Sequence, residues 1–130
     1  MIVVDASVLA TALVDDGEPG QAVRARLSGQ ELVAPAIIDL QVASVVRKGL
    51  RAGMYTDDRA AFAIADLIEL DLERVPHTAL LRRIWEMNEN VTPYDAAYVA
   101  LAERLSAPLV TADTRLSRSA GTRCAIELLG

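Results

Sequence analysis

The sequence predicts an α/β fold, a central and mostly parallel sheet of about five short strands flanked by helices. Three observations predict it. Short apolar runs alternate with segments of helical period along the whole chain. The joints between them are single turn residues such as Gly29, Pro35 and Gly53, with no linker, internal repeat or low-complexity tract. The chain has 130 residues, 52% hydrophobic and 24% charged, which suits one folded domain spanning 1–130 and leaves no room for a second core. Aromatic residues make up only 4%, so Ala, Val, Ile and Leu must build that core.

The elements follow in order. "MIVVD" is a buried strand ending at Asp5, and "ASVLATALV" continues as a helix. "EPGQAVRARLSG" is a second helix, opened by Glu18 and Pro19 and stopped by Gly29. "ELVAP" is a strand closed by Pro35. From Ile37 to about Ala52, apolar Ile38, Val42, Val45 and Val46 recur at helical period up to Gly53. "TDDRAAFAIADLIEL" is a helix with Thr56 as N-cap, and "DLERV" a third strand. A helix near Ala79 to Glu89 precedes "VTPYDAAYVALAERL", a strongly apolar helix carrying Asp95 in its first turn. A strand "APLVT" and a last strand around "RCAIEL" complete the chain.

Composition narrows the function classes. Met1 leads straight into an apolar strand with no basic segment before it, and no apolar run approaches a membrane span of about 18 residues. The expectation is therefore a cytoplasmic protein with no membrane partner. The single Cys124 forbids an intrachain disulfide and reads as a small buried residue. A net charge of −5 argues against a purely electrostatic nucleic-acid binder, but not against an enzyme whose acids hold cations.

The acids supply the geometric argument. In a parallel α/β sheet, sites form at the carboxyl ends of the strands. Asp5 closes the first strand, and Asp113 lies just beyond "PLVT". The helix bearing Asp95 ends near Leu105, and only "SAP" joins it to the next strand, so it runs antiparallel to that strand. Its length of about 20 Å exceeds the strand's about 16 Å, which returns Asp95 to the edge of Asp113. The three acids converge if the strands of Asp5 and Asp113 are neighbours. Glu103 falls at the far end of the helix and is excluded. Each acid alone also suits a capping or turn role: Thr92, Pro93 and Asp95 fit a capping box, Asp5 or Ser7 a helix cap, and Asp113 a turn. Capping alone gives no reason for all three to meet at one edge.

Converging carboxylates repel unless something neutralises them, and hard divalent cations with oxygen ligands, Mg²⁺ or Mn²⁺, do so. Such ions activate water and stabilise the oxygens of phosphodiester cleavage. His77 is the only histidine, which excludes a two-histidine mechanism and disfavours zinc. There is no P-loop, no G-x-G-x-x-G and no G-x-S-x-G elbow. A phosphotransfer enzyme with an acidic nucleophile would want D-x-D where this chain reads D-A-S.

"MIVVDASVLATALV", "YDAAYVALAERL" and "PLVTADTRL", in this order and spacing, resemble the PIN-domain ribonucleases, and the size resembles the VapC-type toxins of toxin–antitoxin pairs. The resemblance implies an Mg²⁺- or Mn²⁺-dependent endoribonuclease that cleaves RNA, forms a homodimer and is inhibited by a cognate VapB-like antitoxin. It implies Asp5, Asp95 and Asp113 as the catalytic, metal-holding acids, with Ser7 and Thr111 supporting them through hydrogen bonds. One position departs from the family pattern, which has an acid, usually glutamate, six residues after the proline of the second strand. Here that residue is Gln41. A glutamine still offers a carbonyl oxygen but no charge, and Asp39 lies on another face of the helix. The change is either tolerated by the other acids, or weakens the site, or was introduced to blunt toxicity. The alternative function is accordingly a PIN-like module that binds RNA or an antitoxin without efficient turnover. A distant third is an unrelated small phosphatase-like enzyme. Arg115 and Arg118 flank the site and are the candidates for substrate contact. Trp85 and Met87 read as core or dimer-interface residues.

Overall fold

A computed structural model describes residues 1–129. Five strands, β1 (Ile2–Val4), β2 (Leu32–Pro35), β3 (Leu72–Val75), β4 (Leu109–Thr111) and β5 (Ile126–Leu128), form one sheet in the order β3-β2-β1-β4-β5. All four pairings are parallel, so "mostly parallel" becomes wholly parallel. The helices are α1 (Ala6–Val14), α2 (Glu18–Leu27), α3 (Ile38–Arg51), α4 (Asp57–Glu69), α5 (Leu81–Glu86), α6 (Pro93–Leu105) and α7 (Thr114–Ser117).

The strand order decides where a site can lie. From β1 the chain steps outward to β2 and β3, then crosses back to β4 on the other side of β1. Right-handed crossovers put α1 to α4 on one face of the sheet and α5 and α6 on the other. The order reverses between β1 and β4, which opens a crevice at their carboxyl ends. The register pairs Val3 with Leu109 and Val4 with Val110, so the chain leaves the sheet at Asp5 and just after Thr111 side by side.

α6 is the packing centre of its face. It contacts β1, β2 and β4, and every residue from Ala96 to Ala102 is buried. Four of those seven are alanines, and small side chains let the helix lie close on the sheet. Leu101 is 1% exposed, so Leu101→Ala is expected to cost about 3 kcal/mol and roughly 10 °C in thermal melting.

The expected elements are present, with local differences. Gly29 and Gly53, both at positive φ, stop α2 and α3 as the sequence suggests. Val45 is 42% exposed: the buried stripe of α3 runs through Ile38, Val42, Val46 and Gly49, and Val45 borders a groove beside Val14 and Tyr55. The helix expected over 79–89 is a single 3₁₀ turn, Thr78–Leu80, followed by six residues of α5. Within that segment Met87 is core, but Trp85 is 70% exposed. Cys124 is half-buried, not fully enclosed. Among the described residues no helix is long and apolar enough to cross a membrane.

Candidate active site

Asp5 is the N-cap of α1 and, among the described residues, one of two buried polar or charged side chains in the core, the other being Thr111. Its Oδ2 accepts a hydrogen bond of 2.5 Å from Thr111 Oγ1, and a longer one of 3.3 Å from Ser7 Oγ. The Ser7 backbone N–H reaches Oδ1 at 3.4 Å. Thr111 is wholly buried, and its Oγ1 also accepts the Asp113 N–H at 3.1 Å. One threonine hydroxyl thus links the ends of β1 and β4, orienting the Asp5 carboxylate and holding the backbone at Asp113. Thr111→Val keeps the shape but leaves Asp5 Oδ2 with only its long Ser7 contact and strands the N–H of Asp113. The expected result is a stability loss of about 2 kcal/mol, read from denaturant unfolding of parent and variant.

Asp113 is the N-cap of α7, with Oδ1 accepting from the N–H groups of Arg115 (2.9 Å) and Leu116 (3.4 Å). The sequence suggests only a turn there, because the four residues of the helix are too few to show a period. Asp95 sits in the first turn of α6, where Thr92 caps the helix by accepting the Asp95 N–H at 3.3 Å. The capping roles are therefore real for Asp5 and Asp113 and for the backbone at Asp95.

These caps also bring the acids to one place. Asp95 and Asp113 line the same small cleft, about 170 Å³, with Asn90, Thr92, Arg115 and Ser119. Asp5 lies at the adjacent strand end and acts through its charge. The Asp95 carboxyl is held above its ordinary value, first by burial and then by the charges of Asp5 and Asp113. Arg115 opposes this weakly, with its Nε 3.8 Å from Asp113 Oδ1 and its side chain 91% exposed. Arg118 is exposed at the end of α7 and is not part of the cleft lining. Glu103, at the other end of α6, pairs with Arg83, away from the site as expected.

The donor set suits a hard divalent cation: carboxylate oxygens, no sulfur or imidazole, and a mutual repulsion that an ion relieves. The acids do not close on one point, however. Among the described residues no three Asp, Glu, His or Cys side chains stand ready to grip a single ion. The Asp5 carboxylate is held across the strand ends by Thr111, and that of Asp113 by the N–H groups of its own helix. An ion here would take part of its shell from these acids and the rest from water, the usual arrangement for Mg²⁺.

Tyr98 does not stand out in the sequence, although it lies one turn from Asp95 on the same helix. It is 1% exposed, and its hydroxyl donates a 2.5 Å hydrogen bond to Gln41 Oε1. Burial, then the charges of Asp5 and Asp95, push its ionisation well above the ordinary range, so it stays a proton donor. The carbonyl oxygen of Gln41 is thus already engaged. Asp39 does not replace it: Arg74 on β3 holds Asp39 through Nε (3.0 and 3.2 Å) and Nη2 (3.1 Å).

Comparison with known proteins agrees with this architecture. The profile of the PIN domain matches residues 2–121. Ribonuclease VapC9 of Mycobacterium tuberculosis (strain H37Rv) is 38% identical over 129 residues, covering 99% of this chain and 98% of that protein. Ribonuclease VapC12 of the same strain is 36% identical, with 99% of each covered. VapBC2 from Rickettsia felis, solved bound to a DNA fragment from their promoter, matches with TM-score 0.69 at 14% identity over 100% of both chains. FitAcB from Neisseria gonorrhoeae matches with TM-score 0.65 at 17% identity over 97% of this chain and 96% of that one. At these low identities the two structures speak for the fold alone, whereas the curated relatives and the profile speak for descent. The chain belongs to the PIN-domain family, in its VapC branch.

Proposed function

We propose that this chain is the toxin of a type II toxin–antitoxin pair, acting in the cytoplasm as an Mg²⁺- or Mn²⁺-dependent endoribonuclease. The observation that carries the proposal is geometric: Asp95 and Asp113 line one cleft at the β1/β4 switch point, and the Thr111 hydroxyl ties the Asp5 carboxylate at the end of β1 to the backbone of Asp113. The names of the curated relatives, VapC ribonucleases, support the activity.

Asp5, Asp95 and Asp113 would hold the cation, which when bound would neutralise their charge and lower the pKa of the attacking water so that it gives up its proton to become the nucleophile. The remaining roles belong to the chain. Thr111 and Ser7 fix the rotamer of Asp5, and the N-terminus of α7 fixes Asp113. Arg115, exposed and only loosely paired with Asp113 at 3.8 Å, is placed to meet an RNA phosphate entering the cleft. Tyr98 keeps its proton and holds residue 41 in place.

A VapB-like antitoxin is the proposed partner, in keeping with the VapC relatives and the VapBC2 structure from Rickettsia felis. Homodimerisation is supported by an apolar depression of about 230 Å³ lined by Ile37, His77, Leu81, Ile84, Pro93, Tyr94 and Ala97, with Trp85 exposed nearby on α5. The second reading, a binding module with little turnover, draws on Gln41, whose oxygen is engaged by Tyr98 and which brings no charge.

Cleavage of total cellular RNA separates the two. The nuclease reading expects discrete fragments with Mg²⁺ or Mn²⁺ and none with EDTA. Intact RNA under all three conditions, from a chain that still binds its antitoxin, would favour the binding module.

A further inference from the structure

The strongest feature outside the acids is a clamp at the opposite end of α6. Arg83 on α5 donates from Nε to Glu103 Oε1 at 2.7 Å and from Nη2 to Glu103 Oε2 at 3.1 Å. The pair is largely enclosed, with side chains 20% and 14% exposed. Each partner also reaches the loop that follows α7. Arg83 Nη2 donates to the Gly121 carbonyl at 2.6 Å, and Glu103 Oε2 accepts the Arg123 N–H at 2.7 Å. Burial alone would raise the Glu103 carboxyl, but the Arg83 and Arg123 contacts outweigh it and hold it below its ordinary value.

The gripped loop is continuous with the wall of the cleft. Ser119, two residues before Gly121, lines the cleft together with Arg115 and Leu116 of α7. α7 in turn has Asp113 as its cap, so its placement sets the Asp113 carboxylate. A helix of four residues has little stability of its own and takes its position from what anchors its ends. The Asp113 cap anchors one end, and the 118–123 loop leads away from the other.

We propose that Arg83 and Glu103 are positioning residues for RNA cleavage: their ion pair clamps residues 121–123 and so holds the Arg115–Ser119 wall and Asp113 in register with the rest of the site. The role rests on the nuclease reading. An ion pair that only joined two helices would be replaceable without consequence for the cleft. This pair commits one donor and one acceptor to the loop.

The test uses Arg83→Gln, Glu103→Gln and the double exchange Arg83→Glu with Glu103→Arg. The exchange retains an ion pair between α5 and α6 but reverses the donor and acceptor facing the loop. Amide exchange of residues 118–123 reads the clamp without RNA, and kinetics on an oligoribonucleotide that the parent cuts read the consequence. The expected result is faster exchange in all three variants and kcat/KM lowered about tenfold or more, chiefly through KM. The double exchange should recover melting temperature but neither loop protection nor kcat/KM. Unchanged loop exchange in the single variants would overturn the clamp whatever the chain does to RNA. Faster exchange with undiminished kcat/KM, or kcat/KM restored by the double exchange, would overturn the positioning role. A parent chain that cuts no RNA in any metal would instead sink the nuclease reading, and the positioning role with it.

Discussion

Asp95→Asn is expected to lower RNA cleavage about a thousandfold or more and, in the same protein, to raise the melting temperature of the metal-free fold by a few degrees. Both effects come from one property. Asp95 is partly buried beside Asp5 and Asp113, so its carboxyl is held above its ordinary value of 3.8. A carboxyl raised in the folded state favours folding in its protonated form. Its burden is absent below the unfolded value, grows as pH rises towards the folded value, and is full above that. At neutral pH the fold therefore carries a charge that it resists, and the neutral amide removes it. Because Asp95 is half-exposed, solvent screens much of the effect. Thermal melts of parent and variant in EDTA at pH 4 and pH 7.5, with cleavage assays alongside, check the prediction. The gain should be present at pH 7.5 and shrink at pH 4. Full activity in Asp95→Asn would remove Asp95 from the mechanism.

Gln41→Glu should act in the opposite sense on both quantities. A glutamate still accepts the Tyr98 hydroxyl, now as a charge-assisted bond, and adds negative charge near Asp5 and Asp95. Cation affinity and cleavage are expected to rise about tenfold, and the melting temperature in EDTA to fall because one more carboxylate joins the group. Side-by-side cleavage of total RNA and melting curves with and without Mn²⁺ measure both. If the variant alone cuts RNA, Gln41 has disabled the natural site. If both cut equally, residue 41 contributes little and the Tyr98 contact only packs α3 against α6.

The parts of the molecule legible in the sequence are those written in local pattern. Short apolar runs and stripes of helical period mark the strands and long helices, and the carboxyl-end rule places Asp5 and Asp113. Asp95 follows from a length comparison, since a helix tied to its strand by three residues must return to the strand's far edge. The remaining condition, adjacency of β1 and β4, is met by the sheet order.

What stays hidden in the sequence depends on partners distant in the chain. The Tyr98–Gln41 bond spans 57 positions, and the grip of Glu103 on Arg123 joins a helix to a loop that has no period. α7 is shorter than the window in which a helical pattern is visible, so Asp113 reads as an acid but not as its cap. Val45 shows the reverse error, an apolar residue in register whose side of α3 borders a groove.

The central claim, that Asp5, Asp95 and Asp113 form one divalent-cation site, is tested most directly by calorimetric titration of Mn²⁺ into the parent chain and into the three single Asp→Asn variants. Saturable binding to the parent is expected, weakened about tenfold or more by each substitution. Mn²⁺ binding that survives all three substitutions, or a parent that binds none, would contradict it.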